Sequence, residues 1–149
     1  MNDEQLSIIQ KGAIAWNVWR KQNAKDKIDL MKANLKDARL INVDLREAKL
    51  IKTDLRKANL FKANLSKANL FRADLREANL LKTNFKGANL FGVDFAKANL
   101  LEADFEGANV KGTNFRGAIN LRAEQIQVAI FWQEAMYDEP FRKKLGLSK

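Results

Sequence analysis

Side chains able to do covalent or acid–base chemistry are scarce in this chain, and the gaps are informative. Neither Cys nor His occurs among its 149 residues. That excludes a thiolate nucleophile, thiolate and imidazole metal sites, Ser-His and Cys-His catalysis, and the commonest general base near neutral pH. Carboxylates, ammonium groups and guanidinium groups remain. Asp54, Asp74 and Asp94 recur at intervals of twenty, and Arg56 and Arg76 each stand two residues beyond one of them. Stacked carboxylates repel unless compensated, so an ion-paired ladder is the expected arrangement. A cation site of carboxylate oxygens is the alternative. A catalytic carboxylate pair needs a cleft that shifts a pKa, and no such cleft is evident. The reading is a non-enzyme without cofactor or metal.

The chemistry left is that of binding. Large apolar residues stand next to cations at Ile51-Lys52, Phe61-Lys62, Phe71-Arg72 and Leu81-Lys82, and the series continues with Phe91 and Leu101. The net charge is +9 and unevenly placed. Residues 28–90 hold fourteen Lys or Arg against seven Asp or Glu, whereas residues 91–117 hold three against four.

These pairs sit on a period of five. Every fifth residue from Leu30 to Phe115 is large and apolar, eighteen positions without a miss. Two residues earlier stands a small or β-branched residue, most often Ala, and between them stands Asn or Asp except at Arg39 and Lys49. Five fits neither the helical period of about 3.6 nor the strand period of two. A helix would spiral successive leucines around its axis, and a flat strand would flip them to alternate faces. A chain that turns once every five residues sends both the large and the small residue inward.

Ala58-Asn59-Leu60-Phe61-Lys62 and Ala73-Asp74-Leu75-Arg76-Glu77 match the motif A-(N/D)-L-X-X, and the pattern resembles the pentapeptide repeat family over residues 28–117. The resemblance implies an all-β solenoid with helical caps, a right-handed quadrilateral β-helix with four pentapeptides to a coil. Eighteen units then make about 4.5 coils, roughly 22 Å tall at about 4.8 Å per layer. Residues twenty apart lie one above another. Phe95 and Phe115 fall on one side, Phe85 and Phe105 on the opposite side. The apolar residues after the centres fall into two columns: Met31, Ile51, Phe71, Phe91, and opposite them Ile41, Phe61, Leu81, Leu101.

Stacked coils need sealed ends. Residues 1–27 are assigned to an N-terminal cap, helical over 4–22, and Trp16-Asn17-Val18-Trp19-Arg20 resembles the helix ahead of many cyanobacterial members of the family. Residues 118–149 are assigned to C-terminal caps, with helices expected over 123–136 and about 138–145. Asp138, Pro140 and Gly146 suit the start and stop of the second. The three Trp are expected to pack these caps.

The expected function is a non-catalytic structural or protein-interaction module that presents flat β-helix sides to an unidentified protein partner. Its candidate stripe is Ile51, Phe61, Phe71, Leu81, Phe91 and Leu101 with Lys62, Arg72 and Lys82. The alternative is nucleic-acid binding through the basic region, or the DNA mimicry by which some acidic members of the family act on gyrase. The charge of +9 argues against mimicry. With no signal-like N-terminus and no apolar run of about 20 residues, a cytoplasmic monomer without a membrane contact is expected.

Overall fold

Each pentapeptide closes on itself before it meets its neighbours. The amide two residues before a centre donates to the carbonyl of the preceding centre, as from Ala33 to Leu30 and from Ala63 to Leu60. The third residue of each such four-residue turn has positive φ at every one of the eighteen units. Thirteen of these are not Gly, among them Lys57 at 59° and Arg72 at 53°. Positive φ at this place marks a type II turn, and it bends the chain by a quarter of a coil.

The coils then stack. Parallel bridges join residues twenty apart without interruption, from Asp29 with Lys49 to Asn99 with Ile119. A complete unit makes three bonds between coils, as in Leu50 N–H to the Asn69 carbonyl, Lys52 N–H to the Phe71 carbonyl, and Lys49 N–H to the Ile28 carbonyl. A flat side is only three residues long, so the ladder consists of isolated bridges and no continuous strand forms among the described residues. The computed structural model describes residues 1–148.

All eighteen centres are at most 3% exposed. The phenylalanines stack along their own sides, Phe85 on Phe105 and Phe95 on Phe115, both at 5.3 Å between ring centres. Across the core they meet edge to face, as Phe95 and Phe105 do at 6.0 Å and 84°. Edge-to-face and offset-stacked pairs are the favoured aromatic geometries. Three Thr replace Ala inside, and each hydroxyl donates to a turn carbonyl of the coil below: Thr53 to Leu30, Thr83 to Leu60, Thr113 to Leu90.

The N-terminal cap is two helices, α1 (Asp3–Gln10) and α2 (Ala13–Gln22), where one was expected. They part at Gly12, whose φ of 105° no continuous helix permits. Trp16 is fully buried, its indole N–H donates to the Asp44 carbonyl, and its ring lies 4.9 Å from that of Trp19.

At the other end the coil runs further than expected. Bridges continue from Asn109 to Ile130 and from Asn114 to Met136, now 21 and 22 residues apart. The helix expected over 123–136 is confined to α3 (Ala123–Gln127), followed by a 3-10 turn (Trp132–Glu134) and then α4 (Glu139–Lys144). Tyr137 stacks on Phe115 at 5.6 Å and so adds one more ring to that column, with its hydroxyl donated to the Trp132 carbonyl. Asp138 stands at the start of α4, but its carboxylate accepts from Gly117 N–H on the last regular coil.

Candidate functional site

A side of the coil presents one outward residue at its middle and two at the corner that follows. Sixteen of the eighteen middle positions are Asn or Asp, and their side-chain oxygens accept from the amide two residues on, as Asn59 does from Phe61 and Asn89 from Phe91. These side chains are thereby spent on holding the corner. The outward residues left without such a bond are the two at each corner.

The nine candidate residues separate into two groups half a coil apart. Ile51, Phe71, Arg72 and Phe91 share one corner. Phe61, Lys62, Leu81, Lys82 and Leu101 share the diagonally opposite one. All six apolar members are half-buried, because each packs on its neighbours above and below in the column. The hydrogen bonds that side chains of α1, α2 and α3 make to the coil go to its first turn, Lys27 to Arg46, and to its last, Leu100 and Ala103. The Phe71 and Phe91 rings stack at 5.4 Å and 15°. Arg72 lies 5.2 Å over the Phe71 ring, and Lys62 Nζ lies 5.2 Å over the Phe61 ring. Lys82 pairs with Glu102 at 3.5 Å. The two corners therefore differ in charge. At the Phe61 corner a lysine is neutralised, while at the Phe71 corner Lys32, Lys52 and Arg72 are exposed and form no ion pair among the described residues.

Apolar exposure at the C-terminal rim escaped the sequence reading. Ile119, Ile130 and Met136 occupy outward middle positions, which sixteen of the eighteen regular units fill with Asn or Asp, and are 52%, 48% and 38% exposed. Ile119 was legible from the period. Ile130 and Met136 were not, because the spacing there has lengthened. Phe131 is 46% exposed, has φ 61°, and lies 5.6 Å from Lys111 Nζ.

The aspartate column is an ion-paired ladder. Arg56 donates to both carboxylate oxygens of Asp54, at 2.9 and 2.6 Å, and reaches Asp74 at 3.7 Å. Arg76 repeats this one coil higher, at 2.9 and 2.6 Å to Asp74 and 4.0 Å to Asp94. The Arg56 hydrogen bond holds the Asp54 carboxyl below the usual carboxylate range, and burial opposes it. The Asp74 bond raises the Arg76 guanidinium further above neutrality. Among the described residues no three Asp or Glu are placed to hold a metal ion. A hollow of about 610 Å³ lies beneath the first coil and is lined by Arg20, Lys27, Arg46, Glu47 and Lys49 among others. It contains none of the ladder carboxylates.

Comparison with known proteins agrees with this architecture. No curated protein matches the chain significantly in sequence. Among solved structures, a pentapeptide repeat protein from the thylakoid lumen of Arabidopsis thaliana is 29% identical with a TM-score of 0.63, over 67% of this chain and 69% of that one. A pentapeptide repeat protein from the cyanobacterium Nostoc is 28% identical with a TM-score of 0.61, over 89% of this chain and 93% of its own. The family model for pentapeptide repeats matches in eight copies over residues 28–66, 68–100 and 84–119. Coil, corner and sequence period thus agree, and the chain belongs to the pentapeptide repeat family.

Proposed function

We propose that this chain is a non-catalytic interaction module whose two apolar corners, and not its flat sides, receive a protein partner. The carrying observation is that the middle position of nearly every side is occupied by an Asn or Asp bonded to its own corner, while Ile51, Phe71 and Phe91 remain half-buried in one apolar column. A contiguous apolar strip flanked by cations is the usual mark of a contact surface. The test is comparative affinity capture from native lysate with the wild type and the Phe61→Ser, Phe71→Ser and Phe91→Ser variants. Loss of a partner from at least one variant supports the reading, and identical partner sets overturn it.

Nucleic-acid binding is the second reading. It draws on five successive basic corner residues, Lys52, Lys57, Lys62, Lys67 and Arg72, all exposed and none in an ion pair among the described residues. They occur one per corner around a full coil, so they point in all four directions and form no single phosphate track. Salt-dependent retention on heparin would favour this reading. Inhibition in a gyrase supercoiling assay would favour mimicry, against which the charge argues. No helix among the described residues is long and apolar enough to cross a membrane. A cytoplasmic monomer is part of the proposal, checked by fractionation and light scattering.

A further inference from the structure

We propose that the Phe71 corner is a docking groove for an acidic amphipathic α-helix lying parallel to the coil axis. This rests on the interaction reading above and names the class of partner. The first support is spacing. The coils stack at about 4.8 Å per layer, and the Phe71 and Phe91 rings lie 5.4 Å apart, close to the α-helical pitch of about 5.4 Å. Apolar side chains one helical turn apart therefore drift from successive rungs by only about 0.6 Å each. An extended peptide presents same-side residues about 6.6–6.8 Å apart, and slips out of register within two rungs.

The second support is charge. Lys32, Lys52 and Arg72 stack beside Met31, Ile51 and Phe71, and no Asp or Glu occupies the corner positions at 31–32, 51–52, 71–72, 91–92 or 111–112. Lys111, higher on the same corner, is held by Glu134 at 3.0 Å. The carboxylates on the neighbouring side, Asp54 and Asp74, are already bonded by Arg56 and Arg76. An incoming row of Glu or Asp beside the apolar face of the helix meets three free cations.

The third support is Phe131. A bulky side chain with positive φ is a genuine backbone outlier. Phe131 holds φ 61° directly after the bridged Ile130, the place where regular coils send a side chain inward. Its ring is 46% exposed and lies under Lys111, so the strained conformation extends the corner column past its last rung. Strain retained at an exposed site points to use. From Met31 to Phe131 is five coils, about 24 Å at about 4.8 Å per layer, the length of a helix of roughly 16 residues.

The test is fluorescence anisotropy with a labelled synthetic helix of about that length, leucines at i, i+4, i+7 and i+11 and glutamates flanking them, against a scrambled peptide of the same composition. The expected result is saturable binding of the helix and none of the scrambled form. Arg72→Glu and Lys52→Glu should each weaken binding about tenfold, while Lys62→Glu on the opposite corner leaves it unchanged. These charge reversals leave the Phe71–Phe91 stack in place, and unchanged melting curves verify folding. Equal binding of the scrambled peptide, equal loss with Lys62→Glu, or no binding at all overturns the inference. Loss of a captured partner by Phe71→Ser without peptide binding would sink the acidic helix and leave the interaction reading standing.

Discussion

Asn and Asp at the outward middle positions act on the corner next to them. Each accepts the amide two residues on, and at Arg39 and Lys49 that acceptor is missing, so the Ile41 and Ile51 amides have no such bond. Lys49→Asn should supply it and stabilise the chain by about 1 kcal/mol. Urea unfolding monitored by circular dichroism measures the gain, and a midpoint at or below the wild type contradicts it. The left-handed corner residue is the other local device. Gly112 has φ 66° with nothing within 4 Å of an added Cβ, so Gly112→Ala tests the backbone alone. A cost of about 1 kcal/mol is expected. A neutral result would mean that the coil bonds impose this conformation at no cost to an L residue. The inward centres and small residues were legible because burial enforces a strict period. The corner conformation was not, since at thirteen units Lys, Arg, Asp, Glu or Asn carries it where Gly would have signalled it.

At the scale of elements, the caps work by imitating a coil. Gln5 is 3% exposed, and its amide donates to the Lys27 carbonyl and accepts from Asp29 N–H. Asn17 does the same for the Asn42 carbonyl and Asp44 N–H. Gln125 imitates the next coil at the other end, donating to the Leu100 and Ala103 carbonyls. Gln5→Ala strands two backbone groups at a buried rim and should cost about 2 kcal/mol. Gln5→Glu keeps the acceptor and should lose less, and equal losses in urea titrations would refute amide pairing as the reason. Helical spacing in the flanks was legible, but how those helices bond to the coil was not. Ile126, Ala129, Ile130 and Met136 have helical spacing, yet Ile130 N–H and carbonyl are taken by Ala108 and Val110, and those of Met136 by Thr113 and Phe115. A fifth coil offers these residues backbone partners that a helix at 128–136 could not have reached, and tertiary pairing overrides local pattern.

Over the whole molecule, the corners were legible as two columns once a twenty-residue coil was assumed. Their unequal charge was not, since it depends on which lysine finds an acid across coils. The same pairings set the response to pH. The Arg56 bond lowers the Asp54 carboxyl pKa, and the Met31 amide lowers that of Asp29. Burial pushes Asp44 up, but the Arg46 hydrogen bonds outweigh it and the result is a lowered value. A carboxylate whose folded pKa lies below its unfolded value of about 3.9 adds stability that is complete above that value. The contribution disappears as pH falls through the lower, folded value. Stability should therefore be flat from about pH 7 to pH 5 as far as these groups are concerned, and decline below about pH 4. Protonation also raises a net charge that is already +9, so self-repulsion adds to the decline. The double variant Arg46→Gln/Arg56→Gln removes the guanidinium partners of Asp44 and Asp54, and its urea midpoint should fall less steeply between about pH 4 and pH 2.5 than that of the wild type. Parallel slopes for the two proteins would assign the acid sensitivity to the general charge and not to the arginine–aspartate ladder.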